Sequence, residues 1–354
     1  MASFRVNCNR TPRLVSQPFL LGSRLDPPAR RMMRTPGGSL VDPTPDELQE
    51  RFGLAGLVRF EPGEGGLVRA VLTSPRATAH VYLHGGHVTH YQPRGQPPVL
   101  FLSERSRYGS GASIRGGVPV IFPWFGARAG HPGSPQHGFA RRLPWTVTAA
   151  GPAPHGAVTV VVELLANDVT RAEWEGEFCL RYTVTVGDTL DLTLVTENRG
   201  TSPLGFEHAL HTYLAVADVP EVSVAGLAGT TYIDKTDPVR RKRDDSPAIH
   251  FAAETDRVYL DTTAACVVDD PGRGRQTVIE KQGSQTTVVW NPGAERARAL
   301  SDLGAEEWRR FVCVETANAA DNAMRLAPGA RHVLHAVVRS GPRAWRADAG
   351  VSAP

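Results

Sequence analysis

The chain has 354 residues, 41% of them hydrophobic and 21% charged, with 35 glycines and 28 prolines. That composition describes a globular protein with a sizeable core and many turns, and no stretch is long and apolar enough for a membrane-spanning helix. The formal charge of +3 is concentrated at one end: residues 1–41 hold seven arginines, no lysine and one acid, Asp26, so the rest is slightly acidic and nucleic-acid binding is not expected.

Residues 1–42 read as an Arg-rich, disordered extension. Their best apolar run, Leu14 to Leu21, is broken by Ser16, Gln17 and Pro18, which is poor for a signal peptide. A cytoplasmic protein is expected, with an organelle transit peptide in this segment as the alternative. Thr44–Arg51 carries a helical signal, with Pro45 near its start. Strand-like runs follow at Val68–Leu72, Ala79–Leu83 and Val158–Leu165. In Leu180–Val186 and Thr189–Leu194 apolar residues alternate strictly with polar ones, and Gly187–Asp188 between them predicts a two-residue hairpin turn. The run Arg240 to Asp245 reads as a solvated loop. Thr277–Glu280, Thr286–Trp290 and His332–Arg339 are further strands, and Ala305–Phe311 is a second helical signal. Residues 342–354 read as a loose tail.

So little helix excludes an alternating α/β arrangement. The pattern predicts an all-β protein, a large and mostly antiparallel sandwich over residues 43–341. Cys8, Cys179, Cys266 and Cys313 are far apart and form no C-x-x-C pair, which points to free thiols in a reducing compartment. His84-Gly-Gly-His87 with His90 hints at a metal site. Residues three apart on a strand point to opposite faces, however, and no acid or cysteine accompanies them, so no metal is expected.

Three blocks are denser in polar, glycine and aromatic residues than a plain sandwich requires. One runs from Ile114-Arg115-Gly116-Gly117-Val118-Pro119 through Phe122-Pro123-Trp124-Phe125-Gly126 to Gln136-His137-Gly138-Phe139-Ala140-Arg141. The others are Glu207-His208-Ala209-Leu210-His211-Thr212-Tyr213 and Cys313-Val314-Glu315-Thr316-Ala317-Asn318. These blocks resemble those of the glucose-6-phosphate 1-epimerases, within the aldose 1-epimerase superfamily. Val99 to Ser103, Tyr232-Ile233-Asp234-Lys235, Val289-Trp290-Asn291-Pro292 and Asp302 fall in the same order as in that family, and the resemblance spans roughly residues 57–340. Trp124, Arg142, Gly293 and Thr316 depart from its common pattern, which bears on the sugar more than on the reaction.

The resemblance implies a galactose-mutarotase-like supersandwich that interconverts the α and β anomers of a hexose 6-phosphate without metal or organic cofactor. Such a reaction needs an acid for the ring oxygen and a base for the C1 hydroxyl, with the roles reversed on reclosure. Family position makes His211 the general acid and Glu315 the general base. It makes His137, Gln136 and Asp234 sugar contacts, and Arg115 and Arg141 phosphate contacts, with Gly116 and Gly117 letting backbone approach the ligand. The plainer alternatives are a salt-bridged core carboxylate ending a buried strand for Glu315, a loop-bracing imidazole for His137 and a turn residue for Asp234. The expected partner is a small sugar phosphate, acted on by a monomer. A mutarotase of free aldoses and a non-catalytic carbohydrate-binding module are the alternative functions.

Overall fold

The computed structural model describes residues 43–237 and 240–343. Alternation of apolar and polar residues decides the architecture. Strand Leu190–Asn198 is buried at every second position, and its antiparallel neighbours Phe178–Val186 and Arg331–Pro342 continue the same face. They belong to a nine-stranded sheet that runs from Ala248–His250 at one edge to Thr146–Pro152 at the other. A second sheet of eight strands takes the order Arg240–Arg243, Thr231–Asp234, Thr255–Tyr259, Thr286–Asn291, Phe311–Asn318, His208–Leu210 and Val120–Ile121. Its eighth strand, Tyr213–Ala215, also pairs with Phe311–Asn318.

The two sheets share one core. Leu192, Leu194, Val160 and Leu334 from the first meet Tyr232, Tyr259, Val289, Val312 and Val314 from the second. Each fully buried aliphatic side chain here contributes roughly 1.5–3 kcal/mol relative to exposure. The opposite face of the eight-stranded sheet carries the polar residues of interest. Strand Phe311–Asn318 is buried at all eight positions, so its outward side chains Cys313, Glu315 and Ala317 are covered as completely as its core-facing ones.

Several boundaries differ from expectation. The first helix, Pro45–Phe52, is capped by Thr44, whose side chain accepts from the Glu47 amide while the Glu47 carboxylate accepts in return. Ala305–Phe311 is not an α-helix: a short 3-10 turn covers Glu307–Arg310, and Phe311 already begins a strand. The hairpin at Gly187–Asp188 has three loop residues, because Val186 pairs with Leu190. Arg240–Arg243 is an edge strand rather than a loop, where its charges discourage further strand pairing. Gly341 and Pro342 continue the last strand against Gln276 and Arg275. Residues 1–42 and 344–354 lie outside the described residues. Cys179, Cys266 and Cys313 are buried free thiols.

Candidate active site

Antiparallel pairing puts directly opposed residues on one face of a sheet. Glu315 is opposed by Val288, and the register that pairs Leu210 with Thr316 brings His211 opposite Glu315. His211 Nε2 lies 3.2 Å from Glu315 Oε1, with side-chain exposures of only 7% and 1%. The His211 ring is fixed by its neighbours. It stacks on Tyr213 at 4.7 Å, meets Trp290 edge-on at 6.0 Å and His137 edge-on at 5.7 Å. His211 Nδ1 and Glu315 Oε2 are buried and have no partner among the described residues. Two polar atoms left unpaired in such a place cost free energy until a ligand satisfies them.

The two side chains are displaced in opposite directions. Burial, then the cations Arg141 and Arg115, hold the His211 imidazole well below its ordinary range. Burial, with Asp256 adding to it, pushes the Glu315 carboxyl well above its own, while Lys235 and Arg141 pull the other way. Burial therefore favours the neutral form of each, with the proton on Glu315 rather than on His211.

His137 sits at a left-handed backbone position, φ 64°, in a closed loop. Its amide donates to the Gly126 carbonyl, and the Gly126 amide donates to its Nδ1 at 3.2 Å. Accepting at Nδ1 leaves the proton of the neutral ring on Nε2, which makes that atom a donor. Burial, then Arg141, His211, Lys235 and Arg115, keep this imidazole neutral. Arg141 donates from Nη2 to the Gln136 carbonyl at 2.9 Å, and its buried Nε has no partner. Burial draws its guanidinium down to about 10, and it makes no carboxylate pair among the described residues. Gln136 thus enters through its backbone, and its side chain is exposed.

Other expected residues are placed differently. Arg115 donates from Nη2 to both oxygens of Asp302, at 3.0 and 3.1 Å, and from Nη1 to the Tyr213 hydroxyl at 3.0 Å. Burial opposes its charge, but Tyr213 and Asp302 more than offset this and raise its pKa. Gly116 and Gly117 do not open the backbone to a ligand. A Cβ at these positions would stand 2.4 Å from the Phe101 carbonyl oxygen and 2.2 Å from that of Val88, so the glycines allow the chain to pack on itself. His87 braces the same turn by donating to the Gly116 carbonyl at 2.7 Å, and His84 lies 2.7 Å from the Ala112 carbonyl.

Asp234 is the clearest displacement. It opposes Arg257 on the core-facing side with Tyr232, away from Glu315, and bonds to Lys242 at 2.7 Å and to Thr236. Burial works against its charge, but these partners bring it down to about 2. Sequence reasoning missed Asp256, which lies on the Glu315 face opposite Trp290 and whose carboxyl is raised by burial. The alternation of Tyr232 and Asp234 inward was available as a signal, whereas the strand Thr255–Tyr259 was not recognised.

Of the four departures, Trp124 donates its indole N–H to the Pro135 carbonyl at 2.9 Å, bracing the loop that leads into Gln136 and His137. Arg142 donates to the Gly111 carbonyl, the Gly293 amide donates to Asn291, and Thr316 is buried on the far side of its strand. Two surface cavities of about 660 and 670 Å³ are lined elsewhere, around Trp174 and around Arg310. No helix among the described residues is long and apolar enough to cross a membrane.

Comparison with known proteins identifies the family and the fold. The aldose 1-epimerase family model matches residues 69–339. A candidate glucose-6-phosphate 1-epimerase of Escherichia coli (strain K12) is 37% identical over 253 residues, covering 71% of this chain and 83% of the relative. One from Cenchrus ciliaris is 34% identical over 273 residues, covering 75% and 82%. The crystal structure of a candidate mutarotase from Salmonella typhimurium superposes with a TM-score of 0.77 at 30% identity, covering 82% of this chain and 96% of that one. A β-sandwich of this topology, matched over that length, places the chain in the aldose 1-epimerase family.

Proposed function

We propose that this enzyme interconverts the α and β anomers of a hexose 6-phosphate, glucose 6-phosphate first among them, by acid/base ring opening and reclosure. The observation that carries this reading is the buried His211–Glu315 contact, with an unpartnered polar atom on each side chain, beside an arginine that has no carboxylate. His211 protonates the ring oxygen as Glu315 takes the C1 hydroxyl proton. The C1–C2 bond then rotates, and reclosure returns both protons. The pair needs only a single proton, passed between its two members through the sugar.

For ring opening that proton must sit on His211. Arg141 and Lys235 already favour the ionised carboxylate, and sugar hydroxyls donating to it add to their effect. A phosphate dianion beside Arg141 offsets the positive field that depresses His211, so binding the 6-phosphate also supplies the acid. His137 Nε2 is oriented to donate to a sugar oxygen. The relatives named for glucose-6-phosphate 1-epimerase support the phosphorylated substrate.

The test is catalysed anomerisation of freshly dissolved α-glucose 6-phosphate against free α-glucose, with the spontaneous rate subtracted from each. A clear preference for the phosphorylated sugar is expected. A preference for free glucose overturns the reading in favour of an aldose mutarotase.

A further inference from the structure

The register that turns Asp234 inward turns Lys235 the other way. The Lys235 amide donates to the Asp256 carbonyl at 2.9 Å, Asp256 opposes Trp290, Trp290 opposes Cys313, and Cys313 opposes Tyr213. Lys235 therefore stands on the face that carries Glu315, in the adjacent cross-strand row. Its ammonium reaches toward the first block of the site. It lies 5.6 Å from the centre of the Phe125 ring, and a Cβ on Gly126 would stand 3.5 Å from Nζ. Phe125 in turn meets His137 edge-on at 4.9 Å.

Lys235 is exposed, and among the described residues its side chain makes no hydrogen bond or ion pair. The other two lysines are engaged, Lys242 with Asp234 and Asp237, and Lys281 with Thr287. Of the cations near His137, Arg115 is committed through its Nη atoms to Asp302 and Tyr213, while Arg141 and Lys235 make no ion pair among the described residues, Lys235 acting on Asp256 and Glu315 only through space.

We propose that Lys235 is a specificity-determining residue that takes the 6-phosphate of the substrate together with Arg141. The inference rests on the hexose 6-phosphate reading above. A phosphate dianion is held best by cations free of carboxylates, and an ammonium offers three rotatable donors to tetrahedral oxygens. Placement fits the length of the ligand. Lys235 and Glu315 are three strands apart on one face of the sheet, about 14 Å between backbones at ~4.8 Å per step. C1 then lies at the His211–Glu315 end and the phosphate at the Lys235 end.

The experiment compares kcat/KM for α-glucose 6-phosphate and α-glucose in the wild type, Lys235→Gln and Lys235→Arg, with inorganic phosphate as a competitive inhibitor. Lys235 is exposed, so thermal melts should show both variants folded. Lys235→Gln is expected to lose about ten- to a hundred-fold more on the phosphorylated sugar than on the free one, this extra loss falling mainly on KM as for a lost charged hydrogen bond, while any loss common to both sugars reads its pull on Glu315. Inhibition by phosphate should weaken in parallel, and Lys235→Arg should restore most of both. A wild type that prefers the phosphorylated sugar, with Lys235→Gln losing equally on both sugars or keeping its phosphate inhibition constant, overturns this role alone. A wild type without that preference overturns the substrate reading and this inference with it.

Discussion

Replacing Glu315 with glutamine keeps the shape of the side chain and removes its capacity to take a proton. The structure makes two separable demands on the outcome. Loss of a general base lowers the rate by ~10²–10⁴, equivalent to about 3–5 kcal/mol of barrier. Stability should respond quite differently. If the carboxylate were half of a structural ion pair, breaking that pair at 1% exposure would cost about 3–5 kcal/mol. Burial instead raises the carboxyl and favours its neutral form, which an amide reproduces. The change should then be about 1 kcal/mol, the net worth of one hydrogen bond, or about 1.5–2 °C in melting temperature for a domain of this size. The assay is optical rotation of freshly dissolved α-glucose 6-phosphate, with the uncatalysed rate subtracted, run beside a thermal melt. Retained turnover in a folded variant refutes the assigned role. A melting temperature lowered by the full ion-pair cost would instead make Glu315 a structural carboxylate.

The two arginines of the first blocks should part company. Arg141→Ala removes a cation with no carboxylate partner, so it should weaken use of glucose 6-phosphate with little change in melting temperature. Arg115→Ala strands Asp302 and the Tyr213 hydroxyl, so it should lower melting temperature as well, and Asp302→Ala added to it should recover part of that loss. Identical behaviour of the two single variants in melts and kcat/KM would contradict this division. His208 is fully buried, accepts from Asn318 at Nε2, and burial keeps it well below its ordinary 6.5. The unfolded chain takes up a proton as pH falls through ~6.5 and the folded chain does not. Stability is therefore full above that pH and falls below it, by about 1.4 kcal/mol per unit for this one group. Urea midpoints for His208→Gln should show a shallower acid slope than wild type, and an unchanged slope would rule the group out.

Much of the fold was legible because its signal is local. Side chains alternate with period two, so Leu190, Leu192 and Leu194 announced their strand, and Val158–Leu165 was delimited to the residue. Pro45 behind Thr44 likewise marked the first helix. Ala305–Phe311 was misread because Phe311 belongs to a strand whose register is set by partners far away in sequence. Resemblance to a family pattern singled out His211 and Glu315 as candidates, but nothing in either segment specifies that they stand 3.2 Å apart. That depends on the register between Leu210 and Thr316, residues brought together only by the sheet.

Charge states and engagements were decided entirely in three dimensions. Arg115 and Arg141 look equivalent as motif residues, yet one finds Asp302 almost two hundred positions away and the other finds only a backbone carbonyl. Asp234 and Lys235 are neighbours in sequence, and the pleat sends them to opposite faces. Alternation could say that they diverge. Which of the two faces holds the site was fixed by the packing of one sheet on another, because burying Tyr232, Tyr259 and Val314 against the nine-stranded sheet leaves the other face to the polar residues.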